Sequence, residues 1–434
     1  MENRGRDWRT ILLGISGICG AVSAFSFAAL ILVYTAFGLL RQNYPQDNQT
    51  TLQAVVLASA IVLVGVVFLP SGYYSIQRLR GEAIPAAAPK LLPIWQGILL
   101  LFVWAGAALL AQLFIKNDIL MWFTPPLYLL AIGTPVYFLV RLASGGLNAG
   151  SRQRIWGVVS TSIAMGITLS IITEMMLVIV GLVLVAGYIG VHPELLATIK
   201  QITDQIKNAS NIDAVLNAVE PWVNNPLVFF IALLFFSGFT PVIEETAKSI
   251  AVWTVFDHLD SAAQGFIIGA LSGAGFGLFE SLLASATPDS GWGATLMIRG
   301  GSTMMHIMTA SLTGWGIAAL HTGQTSGGRA VGRILPPYAL AISLHSLWNA
   351  SVIMITFGSL RIPPNMDAPD PVGKVLIFAG VSVLVILCLA IPLALGMINK
   401  RLRTAIPVIQ TSLMENLPNL PHSDEDEEKR KEVQ

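Results

Sequence analysis

Charge is scarce in this chain. Asp, Glu, Lys and Arg make up 12% of its 434 residues, and mean hydropathy is +0.68. Soluble domains carry about 25% charged residues, so half that share, spread over long apolar runs, excludes an ordinary soluble protein and points to a polytopic membrane protein. Cysteine is nearly absent. Cys19 and Cys388 both lie within apolar runs, which gives neither a disulfide framework nor a thiolate zinc site. The formal net charge is zero, so no electrostatic footprint for nucleic acid is present. The first apolar run, 11–40, is too long for the apolar core of a cleavable signal peptide.

What is present is a series of spans. Apolar runs long enough for the hydrocarbon core predict ten helices in an all-α transmembrane bundle, at 11–40, 52–74, 91–115, 119–141, 157–190, 226–256, 262–286, 296–320, 334–357 and 373–398. Between the fifth and sixth, residues 191–225 alternate Leu, Ile and Val with Lys, Asp and Glu at helical spacing, which predicts short amphipathic helices outside the core. The segment HSDEDEEKRKEVQ, 422–434, reads as a disordered charged tail. With the N-terminus inside, fourteen Lys/Arg fall in inner segments against seven in outer ones, which places both termini in the cytoplasm. Asn48 and Asn208 open glycosylation sequons on the predicted outer side. The organisation expected is a five-span scaffold region at 1–190, an extracytoplasmic linker at 191–225, a five-span working region at 226–398 and a cytoplasmic tail at 399–434.

Ionisable residues inside the apolar runs carry the functional signal. An ionisable side chain at bilayer depth costs roughly 2.5–3.5 kcal/mol on insertion scales. The sixth span, FTPVIEETAKSIAVWTVF, nonetheless holds Glu244, Glu245 and Lys248 within five residues. Glu244 and Lys248 share a face at i,i+4. Pro241 removes a helix hydrogen bond just before them, predicting a break or kink, with the glutamates on the first turn of a new piece. The next span carries Phe276 and Glu280 one turn apart, with Gly273, Gly275 and Gly277 permitting close approach. Arg299 and His306 lie two turns apart on the following span, and His345 and Asn349 project together from the ninth. A structural ion pair would account for Glu244 and Lys248, and a lone membrane histidine is often a helix–helix hydrogen bond; neither accounts for the whole set. The first five spans hold one buried acid, Glu174.

These residue types support water activation. A carboxylate in an apolar pocket can serve as general base, and imidazole or carboxamide can stabilise an oxyanion. Glu and neutral His are also ligands for Zn²⁺, which lowers the pKa of bound water to about 7. Both routes lead to amide hydrolysis. A secondary transporter with a broken helix and buried carboxylates, or a non-catalytic membrane scaffold, is the alternative.

In this order, the motifs resemble those of the PrsW family of intramembrane proteases, itself related to the CAAX prenyl endopeptidases, or Abi group. They stand here as Glu244-Glu245-Thr246-Ala247-Lys248, Phe276 with Glu280, Arg299 with His306, and His345 with Asn349, over residues 226–357. Ser281 departs from the pattern, which has Asn after the glutamate. The resemblance implies cleavage of a membrane-embedded or membrane-adjacent protein, commonly as a metalloprotease, whereas the CAAX enzymes are described as metal-free. The catalytic set would be Glu244, Glu245, Glu280, His306, His345 and Asn349. A metal, zinc first, would be held from among Glu245, Glu280, His306 and His345, with Lys248 and Arg299 as orienting charges. Straight spans of these bounds leave one conflict: Glu245 and Glu280 would differ in depth by about 15–20 Å.

Overall fold

The computed structural model describes residues 8–40, 48–209, 212–289, 291–322, 328–361 and 368–415. Among them the chain is helical, with one isolated bridge, Ala86–Ser151. The predicted charged tail at 422–434 lies outside the described residues.

Twelve helices follow one another. They are α1 (Trp8–Leu40), α2 (Asn48–Leu79), α3 (Ile94–Phe114), α4 (Thr124–Ser144), α5 (Arg152–Val191), α6 (Pro193–Lys207), α7 (Ile212–Val223), α8 (Pro226–Trp253), α9 (Ala262–Ala284), α10 (Trp292–Thr322), α11 (Gly328–Leu360) and α12 (Pro371–Glu415). The ten expected spans are all here, and residues 191–225 form the two short helices α6 and α7. Three of the longer helices start at a side-chain cap. Ser151 and Ser261 cap α5 and α9 by accepting from Arg154 N and Gln264 N, and Asn225 accepts from Leu227 N ahead of Pro226.

Among the described residues, nine helices are long and apolar enough to cross a bilayer. The eighth expected span, α10, is long enough but falls outside that set, since it carries Arg299, His306 and several Ser and Thr residues. Ser302 through Leu312 are buried in an unbroken run, so protein rather than lipid covers it. Its partner α9 is 83% buried over its most apolar window, against 6% for α5 and 17% for α1. The two inner helices touch at glycine. A Cβ on Gly269 or Gly273 would run into the backbone of Ala310 or His306.

The N-terminal spans pack directly on this inner pair. Tyr128 of α4 stacks on Trp292 of α10 at 5.7 Å, and its hydroxyl donates to Leu282 O on α9. Trp292 Nε1 donates to Ser285 O, and Gly293 N to Gln112 Oε1 of α3. The described helices α1–α5 and α8–α12 therefore share one core. The outer half of α5, Ile167–Val191, is apolar and exposed on nearly all sides, a surface that suits lipid. The chain is an integral membrane protein.

Candidate active site

Two helices change their pitch where they meet the site. In α8, residues Leu234–Phe239 form a π-helical turn and α geometry resumes at Thr240, with Pro241 in the first turn. Pro241 has no N–H to give, so a carbonyl upstream of it must be left without a helix donor. Asn349 Nδ2 of α11 donates to Phe236 O at 2.8 Å and satisfies that carbonyl. The span therefore widens at Pro241 and runs on. The expected break, with the glutamates on the first turn of a new piece, is corrected on this point: Glu244 and Glu245 lie in the interior of a continuous helix. The second π-helical turn, Ser162–Gly166 of α5, faces this stretch. Ser162 Oγ donates to Ser272 O of α9, and Ser272 Oγ donates to Lys248 O.

That last bond resolves the depth conflict. It sets Lys248 level with Ser272, so Glu244 and Phe276, each one turn farther along, stand level with each other. Glu280 is one more turn away, about 6 Å. Beyond this level α8 runs on for roughly ten more residues than α9, about 15 Å. Spans drawn with matched ends hide that difference.

Glu244, Glu245, Lys248, Glu280, His306 and His345 meet in one cluster. Glu245, fully buried, accepts on Oε1 from Lys248 Nζ (2.7 Å), His345 Nδ1 (2.8 Å) and Thr309 Oγ1 (3.0 Å). Glu280 Oε2 accepts from His306 Nε2 at 2.5 Å, while its Oε1 is paired with Arg299 Nη2 at 2.8 Å. Carboxylates only accept, so His345 carries its proton on Nδ1 and His306 on Nε2. The Lys248 ammonium, 2.7 Å from His306 Nδ1, agrees with that tautomer. Both rings therefore present an unprotonated nitrogen. His345 Nε2 and His306 Nδ1 lie 3.7 and 3.8 Å from Glu244 Oε2, a buried oxygen that accepts no hydrogen bond. The rings stand edge to face at 5.2 Å.

Three glutamates face two cations, Lys248 and Arg299, with the imidazoles between. Lys248 lies 3.4 Å from Glu244 Oε2 as well and is stacked over the Phe276 ring at 4.7 Å. A buried oxygen without a hydrogen bond is costly, and Glu244 Oε2 and Glu245 Oε2 are both in that position. One atom each from Glu244, His306 and His345 lie within 4.8 Å of one another, and this group could hold a metal ion. One carboxylate and two neutral imidazoles are also the donor set of a three-ligand catalytic zinc site. Of the four residues expected from the sequence to hold a metal, His306 and His345 are in this group; Glu245 and Glu280 instead accept the far N–H of each ring.

Asn349 shares a helix face with His345, but its amide is given to Phe236 O. Glu174, half-buried on α5, accepts from Ser170 Oγ at 2.9 Å and lies within electrostatic range of Glu280 and Lys248. Thr309 and Ser302 join the site without having been singled out. Thr309 bonds Glu245, and Ser302 Oγ is 3.3 Å from His306 Nε2. At three residues after and four before His306, they share its face, so helical spacing alone could have found them. Glu280 is one-third exposed, which makes its side of the cluster the open one.

No curated protein and no solved structure matches the chain. Residues 207–390 match the family model described as PrsW family intramembrane metalloprotease. The match reaches beyond the 226–357 expected from the motifs, takes in every cluster residue, and leaves α1–α5 with Glu174 outside; the matched segment is thus similar to the PrsW family.

Proposed function

We propose that this protein is an intramembrane metalloprotease that hydrolyses a peptide bond of a membrane-embedded or membrane-adjacent protein. The observation that carries the reading is the buried Glu244 Oε2, which accepts no hydrogen bond and faces two imidazole nitrogens, each ring held from behind by its own carboxylate. Glu244, His306 and His345 would hold the metal. A zinc ion there would supply Lewis acidity and lower the pKa of a bound water.

The chain's own residues do the rest. Glu245 fixes His345 through Nδ1, and Glu280 fixes His306 through Nε2, so both rings keep the tautomer a ligand needs. Arg299 holds Glu280 in turn. Glu245 Oε2 is buried and accepts no bond, which suits it to take the proton of the attacking water. Lys248 Nζ now spans His306 Nδ1 and both adjacent carboxylates; with a cation at Glu244 it keeps Glu245 as partner. Apolar neighbours restrict water to what enters beside Glu280. The substrate approaches through lipid. The Lys/Arg asymmetry supports a cytoplasmic placement of both chain ends, and α1–α5 brace the inner pair α9–α10.

The test is metal content together with cleavage, in protein reconstituted with single-span peptide substrates. Glu244→Gln and His345→Ala should lose both metal and cleavage. Glu245→Gln should lose cleavage and keep metal. Metal lost from Glu245→Gln but kept in Glu244→Gln would exchange the two roles, and cleavage by a metal-free wild type would remove the metal altogether.

A further inference from the structure

A cavity of about 600 Å³ lies away from the cluster, between the start of α1, the start of α5 and the last turn of α8. Its volume falls in the ordinary range for small-molecule sites. Leu12, Ile250 and Trp253 give it apolar walls, and Arg9, Arg78 and Arg154 stand at its mouth. The three arginines come from the first turn of α1, the last turn of α2 and the first turn of α5. The mouth is therefore at the level where the helices leave the bilayer, the depth of a lipid headgroup.

The guanidiniums are not equally engaged. Arg9 is paired with Asp257 at 2.8 Å. Arg78 donates to Gln153 Oε1 at 3.0 Å and Arg154 to Gln264 Oε1 at 3.3 Å, both neutral amides. Gln153 is itself buried and held by Thr10, with Nε2 to Oγ1 at 3.2 Å, so the polar floor beneath the two arginines is fixed. Asp260, which accepts from Gln264 Nε2 at 3.0 Å, lies within electrostatic range of Arg154.

We infer that this cavity binds one anionic phospholipid, its acyl portion against Leu12, Ile250 and Trp253 and its phosphate at Arg78 and Arg154. A soluble anion would meet the arginines and leave the apolar walls uncovered. A purely apolar ligand would fill the walls and leave two guanidiniums facing only amides. An amphiphile with one phosphate matches both parts, and arginine is the side chain suited to phosphate. Occupied, the site joins α1 to the end of α8, the helix that carries Glu244, Glu245 and Lys248.

The experiment is native mass spectrometry of the full chain in mild detergent, offered phosphatidylglycerol, phosphatidylcholine or inorganic phosphate. One phosphatidylglycerol per chain should be retained, with the other two lost. The Arg78→Gln/Arg154→Gln double variant should weaken retention on the order of tenfold. Ser16→Phe, which fills the cavity from an apolar helix and removes no charge, should abolish retention with helix content unchanged. Equal retention of phosphatidylcholine would reduce the site to an apolar groove and overturn the proposal. So would retention of phosphate alone, wild-type retention by Ser16→Phe, or an acidic juxtamembrane peptide captured in place of lipid. None of these readings depends on proteolysis.

Discussion

The α1–α2 pair and the α9–α10 pair both bring two backbones together at glycine, yet they differ in what covers them. A Cβ on Gly17 would stand 2.5 Å from Gly72 N, and one on Gly273 would run into His306 O. Around α1 the remaining surface is apolar and exposed: Leu12, Ile15, Val22 and Leu30 lie open to lipid. Around α9 and α10 it is buried in protein, and those helices can carry Glu280, Arg299, His306, Ser281 and Thr303, the last two bonded to each other at 2.9 Å. Burial in protein lets a helix carry polar residues without obliging it to: α9, 83% buried, still counts among the nine apolar spans, whereas α10, with Arg299, His306 and its Ser and Thr residues, does not.

The largest expected effect breaks the inner pair and spares the outer one. Gly273→Leu places a side chain against the His306 backbone, which cannot retreat without moving the site. Overpacking against backbone belongs with the changes that exceed about 4 kcal/mol, so no folded protein should be recovered. Gly17→Leu should part α1 from α2 and lower the unfolding temperature, while the protein still folds and cleaves. Equal damage from the two, measured by thermal unfolding and recovered yield, would mean that the outer pair is as integral as the inner one.

Next in size is a change inside the cluster that costs activity and no stability. Glu245→Gln keeps a carbonyl oxygen for Lys248, His345 and Thr309 but removes basicity. Cleavage should fall by about 10²–10⁴-fold, the usual worth of a general base, with insertion eased by loss of a buried charge. Unstable protein with unchanged specific activity would make Glu245 structural.

A third change sharpens the account of the π turn. Asn349→Leu strips Phe236 O of its donor, and a carbonyl of a membrane-spanning helix orphaned away from water costs about 1–3 kcal/mol. Pro241→Ala returns a backbone N–H at the place where it is missing. The double variant should recover most of the stability lost in Asn349→Leu. No recovery in thermal unfolding would separate the asparagine from the proline.

These variants also mark what was legible in the sequence. The spans were, because lipid contact writes itself as apolar composition. The cluster members were, because each stands out in an apolar helix and its partner recurs at three or four residues. What pairs with what was not. Glu244 and Glu245 are adjacent in sequence, and only the rotation of α8, set by the π turn at 234–239, sends one oxygen toward both rings and the other into three donors. The depth of Glu280 was hidden for a related reason: helices of unequal reach cannot be aligned by their ends. The lipid-facing arginine cavity was invisible because its lining comes from helix ends far apart in sequence.

The smallest effect compares the fully buried ion pair with a half-buried one. Lys248–Glu245 is 2.7 Å long and sealed; Arg361–Asp370 is 2.8 Å long, joins the end of α11 to the start of α12, and lies outside the spanning segments. Arg361, with the Gly373 N–H behind it, holds the Asp370 carboxyl below its ordinary value. A depressed carboxylate pKa contributes stability that is complete above the unfolded value of about 3.9. That contribution is lost as pH falls through the lower folded value. Asp370→Asn keeps an oxygen for Gly373 N and discards the charge, so it should lower the unfolding temperature at neutral pH by no more than about 2–3 °C, the scale of a pair still reached by solvent. The gap should shrink with added salt and close in acid below pH about 3. A drop as large as that of Asn349→Leu, or one indifferent to pH and salt, would show that the α11–α12 junction depends on packing rather than on this pair.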